Sequence, residues 1–318
     1  MSIRSIDSRS HRRQHQALLL LLALLALWVT AACGGGDDDG GATTGTGVKV
    51  VATTTQIGAL TREVAGGEVE LTVLLSAGAD AHDYEPSPKA VAQIKDARVV
   101  LVNGIGLDAW LDNVISGAGA ERVVVVTDGI AIRGADAGQG GGVGDPHVWH
   151  DPENVKVMVD NIAAALSEAD PEKAATFQGN GDAYKAKLDA VDAQVRALID
   201  SIPAENRKIV TNHDSFGYFF DRYGIEYAGA IIPGTSKDAQ PSAKELANLT
   251  DLIKREGVKA IFAEEEVDPK VARQLAADTG VAIVTGLYAD SLGAPGSGAE
   301  TVDGMLLSNA TKIAEALR

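Results

Sequence analysis

Four of the six histidines in this 318-residue chain stand where they could bind a metal ion. Two lie in the basic N-terminal stretch, and the others are His82, His147, His150 and His213, which follow predicted strands or precede predicted helices. Histidine is the commonest metal ligand in proteins. These residues lack the local spacing of a zinc finger. The pattern therefore indicates a metal site that only tertiary structure could assemble, and the string "GDPHVWHDPENV" at 144–155 raises the question of which of its two histidines takes part.

Short β-rich runs alternate with helical patterns from residue 48 onward, which predicts an α/β fold with largely parallel sheets. The first half contains VKVVAT, VELTVLL, RVVLVN and RVVVVT, and the second contains RKIVT, IEYAGAI, VKAIFA and VAIVT. We therefore expect two lobes, residues 48–170 and 203–318, each with a mostly parallel four-stranded sheet flanked by helices. Open α/β sheets bind ligands outside the carboxyl ends of their strands, so histidine-bearing loops from both lobes could share one site.

A different pattern separates the two halves. Apolar residues recur there at steps of three or four, at Tyr184, Leu188, Val191, Val195, Leu198 and Ile202. This periodicity predicts one long amphipathic helix over residues 171–202 that ends before Pro203 and joins the lobes. Gly179 and Gly181 could break or kink its first part. A helical connection of this kind predicts restricted lobe motion.

The N-terminus is typical of an exported protein. A basic stretch precedes an apolar run of 13 residues, ALLLLLALLALWV, which is shorter than the roughly 20 residues that span a bilayer. Cys33 follows Ala-Ala and resembles the processing site of a bacterial lipoprotein, although Thr30 stands where an aliphatic residue is more common. We expect a signal peptide at 1–32 and a flexible tether at 33–47. The resemblance implies lipidation of Cys33 and attachment to the outer face of the cytoplasmic membrane.

Charge and cysteine content exclude several classes of function. The formal net charge is −16 at pH 7, and removal of the basic signal peptide makes the chain more acidic still. Nucleic-acid binding depends on basic contacts, so we expect no nucleic-acid partner. Cys33 is the only cysteine, which excludes an internal disulfide and a cysteine-rich zinc site.

Four strings in the mature chain carry a family resemblance: "HDYEPSP", "DPHVWHDP", "NHDSFGYF" and "YADSLG". In this order they are similar to the metal-ligand segments of the zinc and manganese solute-binding proteins of ABC transporters, the cluster A-I family. The resemblance covers residues 48–318. It implies metal ligands at His82, His147, His213 and Asp290, a rigid backbone helix between the lobes, and delivery of the ion to a permease with its ATPase. We expect a monomer.

The resemblance also bears on which metal is bound. Three imidazoles and one carboxylate suit a tetrahedral zinc ion, and family members that bind manganese often have glutamate at the position of His213. We therefore expect Zn²⁺ as the transported ligand, with Mn²⁺ or Fe²⁺ as the alternative. The histidine-rich loop of many zinc-specific members is absent, because "RGADAGQGGGVGD" at 133–145 contains no histidine.

Two further residues are weaker candidates. His150 stands where the family often has an apolar residue, so we interpret it as a surface residue or a residue behind the ligands. Glu264, at the end of a predicted strand, could accept a hydrogen bond from His213 or belong to a solvated charged turn. A zinc-dependent hydrolase with Glu264 as general base is the rival function. The sequence has no HExxH motif, so we expect no enzymatic activity.

Overall fold

Two parallel β-sheets form the framework of the protein. A computed structural model describes residues 47–82, 84–111, 114, 122–134, 144–232 and 241–318. The strands are β1 (Val48–Ala52), β2 (Val69–Val73), β3 (Val99–Val102), β4 (Val123–Val125), β5 (Lys208–Thr211), β6 (Glu226–Ala230), β7 (Ala260–Glu264) and β8 (Ala282–Leu287). They pair in the orders β2-β1-β3-β4 and β6-β5-β7-β8, and every pairing is parallel. The predicted fold class is confirmed.

The strand order of each sheet reverses direction beside its first strand. In the first sheet the chain moves from β1 to β2 on one side and then to β3 on the other, and β5, β6 and β7 repeat this arrangement in the second sheet. Parallel sheets bind ligands outside the carboxyl ends of their strands at such a reversal. All strands within a sheet point the same way, so the loops that follow them gather at one edge of that sheet.

Helices flank the sheets, and their starts follow from local sequence. They are α1 (Thr55–Ala65), α2 (Pro88–Asp96), α3 (Pro152–Ala169), α4 (Ala174–Asp200), α5 (Gly217–Tyr223), α6 (Ala243–Glu256), α7 (Lys270–Thr279) and α8 (Val302–Leu317). Ser87 caps α2 and Asp151 caps α3, each directly before a proline. Ser242 and Glu245 form a capping box at the start of α6. These caps satisfy backbone amides that otherwise lack a partner in the first turn.

The helix between the sheets is slightly shorter than predicted. Residues 171–173 form a 3-10 turn, in which Asp170 Oδ1 accepts from the Glu172 amide, and α4 runs from there to Asp200 without a break at Gly179 or Gly181. Gly181 faces α3, where an added Cβ would meet Val159 at 3.3 Å. The glycine therefore permits close packing of α4 on α3, and the break or kink that its residue type could have caused is absent.

One apolar core continues from the first sheet into the second. Its fully buried members include Leu101 in β3, Leu188 in α4 and Phe262 in β7. Tyr184 of α4 also donates a hydrogen bond to Asp303 of α8, with a 3.0 Å separation between oxygens. Helix α4 is therefore part of the packed interior and joins the cores of both halves.

A second tie to α4 runs through Arg222 of α5. Arg222 donates from Nε and Nη2 to both carboxylate oxygens of Asp192 at 2.8 and 2.7 Å, and Tyr223 Oη donates to the same carboxylate at 2.7 Å. Burial raises the pKa of Asp192, but the hydrogen bonds from Arg222 and Tyr223 outweigh burial and leave it lowered. A carboxyl with a lowered pKa in the folded state stabilises the fold above its unfolded pKa, near 4, and this contribution is lost as the pH falls.

We expect Asp192→Asn to lower the free energy of unfolding by about 1 kcal/mol at pH 7, a figure that allows for solvent screening. The difference from the wild type should shrink as the pH falls below about 4, because Asp192 then takes up a proton more readily in the unfolded chain than in the folded one. Urea denaturation of the wild type and of Asp192→Asn at pH 7 and pH 3 measures the difference in their free energies of unfolding at each pH. Asp182→Asn on the exposed face of α4 is the matched control and should have little effect at either pH. A pH-independent loss in Asp192→Asn would contradict this account.

Several sequence predictions fall outside the described residues. These are the signal peptide at 1–32, Cys33 and the tether, apart from residue 47, which is described. Within the part of the chain that the structure describes, none of the helices combines the length and apolar character needed to cross a bilayer.

Candidate metal centre

The four predicted ligands come from loops at the carboxyl ends of strands in both sheets. His82 lies between β2 and α2, and His147 directly precedes a 3-10 turn, Val148–His150, that leads into α3. His213 follows β5 and Asp290 follows β8. The structure brings one nitrogen or oxygen of each together, and these atoms all lie within 4.8 Å of one another.

Distances between the facing atoms are short. His82 Nε2 lies 3.3 Å from His147 Nε2, and His147 Nε2 lies 3.1 Å from Asp290 Oδ1. Asp290 Oδ2 lies 3.6 Å from His213 Nε2 and 3.8 Å from His82 Nε2. His213 Nε2 is buried without a hydrogen-bond partner among the described residues. Leaving a buried polar atom unpaired is costly, so the arrangement fits a bound cation between these groups.

The site is closed except beside one histidine. His147 and His213 are fully buried and Asp290 is 1% exposed, whereas the His82 side chain retains 13% of its exposure. His82 lines an open cavity of about 440 Å³ together with Arg133, Asp145 and Asp214. Among the described residues, His82 is therefore the ligand that borders this cavity.

Two carboxylates fix the orientation of the buried imidazoles. Asp145 Oδ1 lies 2.7 Å from His147 Nδ1, and both oxygens of Glu264 lie within 2.9 Å of His213 Nδ1. A carboxylate only accepts, so each Nδ1 carries a proton and each Nε2 is left to face the centre of the site. Burial lowers the pKa of His147, but hydrogen bonds to Asp145 and Asp290 outweigh burial and raise it to about 10. His147 Nε2 must therefore lose a proton before its lone pair can bind a cation.

Of the two interpretations of His150, a surface residue or a residue behind the ligands, the first is wrong. Its side chain is fully buried, with its ring 4.6 Å from that of Phe216. Burial, followed by the charge of His147, lowers the pKa of His150 to about 3 and keeps the ring neutral. His150 does not belong to the group of atoms that face one another in the site. It fills apolar space behind the ligands, as an apolar residue would.

Sequence reasoning missed the support around His147. Arg133 Nη1 lies 3.5 Å from Asp145, and Arg133 Nε donates to Asp221 of α5 at 3.0 Å. The guanidinium packs on Gly217, where an added Cβ would lie 2.3 Å from Nη1. The signal for Asp145 was its position two residues before His147, but the pairing with Arg133 had no signal because it depends on α5.

Trp149 explains the aromatic residue inside "DPHVWH". Its indole Nε1 donates to the Ala289 carbonyl at 2.9 Å, directly beside Asp290. The segment that carries one predicted ligand in the first half therefore also anchors the segment that carries Asp290 in the second. A single short motif positions ligand groups from both halves of the chain.

Comparisons with known proteins agree on one group. Residues 50–316 match the family model described as zinc-uptake complex component A, periplasmic. The metal ABC transporter substrate-binding lipoprotein SsaB of Streptococcus sanguinis is 31% identical over 277 residues, which cover 85% of this chain and 89% of that protein. The iron-binding protein YfeA of Yersinia pestis is 31% identical over 244 residues, which cover 77% of this chain and 78% of YfeA. The periplasmic zinc-binding protein TroA of Treponema pallidum superposes with a TM-score of 0.78 at 31% identity, covering 84% of this chain and 98% of TroA.

Proposed function

We propose, from the premise that this chain belongs to the zinc-uptake complex component A family, that it captures Zn²⁺ outside the cytoplasmic membrane and delivers it to a permease. The chain is a metal-binding substrate-binding protein of an ABC transporter and not an enzyme. The observation that carries the choice of ligands is the convergence of His82, His147, His213 and Asp290 from distant loops.

The support for zinc is the donor set, and the spacing of the donors is compatible with it. Atoms that each lie about 2.0–2.1 Å from a tetrahedral zinc ion are about 3.3 Å from one another. Four of the distances between facing atoms here are 3.1 to 3.8 Å, and the ligand atoms all lie within 4.8 Å of one another. Three nitrogens and one carboxylate match zinc better than manganese, which prefers more oxygen ligands. Mn²⁺ or Fe²⁺ is the alternative, because relatives are named for manganese and for iron.

The chain is exported and acts at the outer face of the membrane, as do the relatives named lipoproteins. We propose Cys33 as the lipid attachment site and residues 33–47 as the tether that lets the binding domain reach its permease. The ATPase of the transporter drives uptake, while this chain supplies the bound ion. We propose that it acts as a monomer, since one chain contributes every ligand of the site.

Competition between metals tests this proposal. We expect the purified protein, dialysed against equal concentrations of Zn²⁺ and Mn²⁺, to carry about one zinc per chain and little manganese, because imidazole-rich sites follow the affinity order in which Zn²⁺ exceeds Mn²⁺. Mass spectrometry of the intact complex, together with elemental analysis, measures both metals. Manganese in molar excess over zinc in the bound fraction would reject the zinc assignment, and absence of either metal would reject the site.

A further inference from the structure

We propose that Ser291 is a positioning residue that holds the His82 loop, defined as residues 74–82, against the second half of the chain and so slows release of the metal. This inference rests on the proposed function, because it assigns His82 to the ion. Ser291 follows Asp290 directly and is only 2% exposed.

A short chain of hydrogen bonds passes through the Ser291 hydroxyl. The Gly78 amide at the tip of the His82 loop donates to Ser291 Oγ at 2.9 Å. Ser291 Oγ in turn donates to Glu266 Oε1 at 2.8 Å, and the Ser291 amide donates to the same oxygen at 2.9 Å. The hydroxyl proton is thus committed to Glu266, which leaves the oxygen lone pair for Gly78. The two hydrogen bonds from Ser291 to Glu266 hold the serine in place, so that its hydroxyl oxygen can accept from the Gly78 amide.

The His82 loop is also held near its two ends, because Leu75 and Ala81 are buried in the apolar core. At its start, the Leu74 amide donates to the Ala52 carbonyl at the end of β1, and the Leu75 amide donates to the Thr53 carbonyl. Beyond them, Ala79 donates to Ser76 and His82 donates to Asp80. These last two bonds shape the loop internally without tying it to the rest of the fold. The bond from Gly78 to Ser291 therefore joins the tip of the loop to the opposite half.

His82 depends on its loop more than the other ligands depend on theirs. The rings of His147 and His213 are each held from behind by a carboxylate at 2.7 to 2.9 Å. The close contacts described for the His82 ring point into the site itself, to His147 at 3.3 Å and Asp290 at 3.8 Å. His82 is also the ligand beside the open cavity. It is therefore the first ligand to leave when the ion departs.

Among the described residues, a cavity of about 760 Å³ lies next to the His82 loop, lined by Asp80 of the loop and by Asn212 and Glu266 of the second half. Asp290 stays fixed by separate contacts, since the Leu292 amide donates to Thr55 Oγ1 at 2.9 Å. Loss of the Ser291 hydroxyl would thus free the loop while the segment that carries Asp290 remains tied to α1.

Ser291→Ala tests the proposal against a matched control, Ser297→Ala, an exposed serine of the same loop that bonds only within it. Each purified protein is loaded with Zn²⁺ and mixed rapidly with excess EDTA. We expect zinc to leave Ser291→Ala about fivefold to tenfold faster than the wild type, because, of the two hydrogen bonds lost with the hydroxyl, the one from Gly78 ties the loop. The rate of zinc association should change little, because the bond from Gly78 acts on departure.

Amide exchange in the metal-free protein gives a second readout. Gly78 is exposed, so its amide should exchange slowly only while Ser291 accepts from it, and we expect faster exchange in Ser291→Ala alone. Unchanged zinc release in Ser291→Ala, or unchanged Gly78 exchange, would overturn the proposal, as would equal acceleration by Ser297→Ala. A wild type that binds no zinc would instead reject the proposed function, and the Gly78 amide would still decide whether Ser291 holds the loop.

Discussion

His213→Ala should weaken zinc binding by two to three orders of magnitude. Zinc sites with four protein ligands are worth about 10–16 kcal/mol, so an equal share per ligand is about 3 kcal/mol or more. Alanine also leaves Glu264 with no imidazole to accept from, as both of its oxygens lie within 2.9 Å of His213 Nδ1. Competition titration with a fluorescent zinc chelator at pH 7.5 measures the change in Kd.

His150→Ala is the control for this prediction. His150 is buried near the site but its nitrogens do not face the other ligand atoms. We expect zinc affinity close to that of the wild type and a loss of stability, because removal of a buried ring leaves a cavity beside Phe216. Greater damage to zinc binding from His150→Ala than from His213→Ala would mean that the wrong histidines have been assigned to the ion.

Glu264→Gln should weaken zinc binding about tenfold to a hundredfold, the usual effect of removing a carboxylate that orients a ligating imidazole. Glutamine has nearly the same shape but no charge, so it accepts a weaker hydrogen bond from His213 Nδ1. It can also turn its amide toward the ring, which would favour the tautomer that presents no lone pair to the ion. The same chelator titration measures the effect.

The neighbouring residue provides a control with the same change in charge. Glu265 is exposed and directly follows Glu264, so Glu265→Gln should leave zinc affinity within about twofold of the wild type, as is usual for surface substitutions. If both variants lose affinity equally, the effect is that of net charge near the site. If neither loses affinity, His213 does not need Glu264 to bind zinc.

Strands and helix starts could be predicted because they depend on neighbouring residues. Runs such as VKVVAT and caps such as Ser87-Pro88 contain their own signal, and both appear in the structure with bounds that differ by a residue or two. Gly181 misled the prediction for α4, because its reason lies in Val159 of another helix.

The residues around the metal site were harder to predict when their contacts lie far away in the sequence. His82, His147 and His213 stood out because histidine is scarce and each follows a predicted strand or precedes a predicted helix. The burial of His150 had no local signal, since Phe216 comes from the other half of the chain. The bond between Gly78 and Ser291 spans 213 residues, and neither residue type suggests such a partner.

The apolar core that continues through α4 limits how an importer could empty this carrier. Parting the two halves widely would bring side chains such as Leu188 and Phe262 into water, at about 25 cal/mol for each Å² uncovered. Moving His82 alone out of the site would expose far less apolar surface to water. Release of the ion by displacement of the His82 loop would thus cost less free energy than release by separation of the two halves.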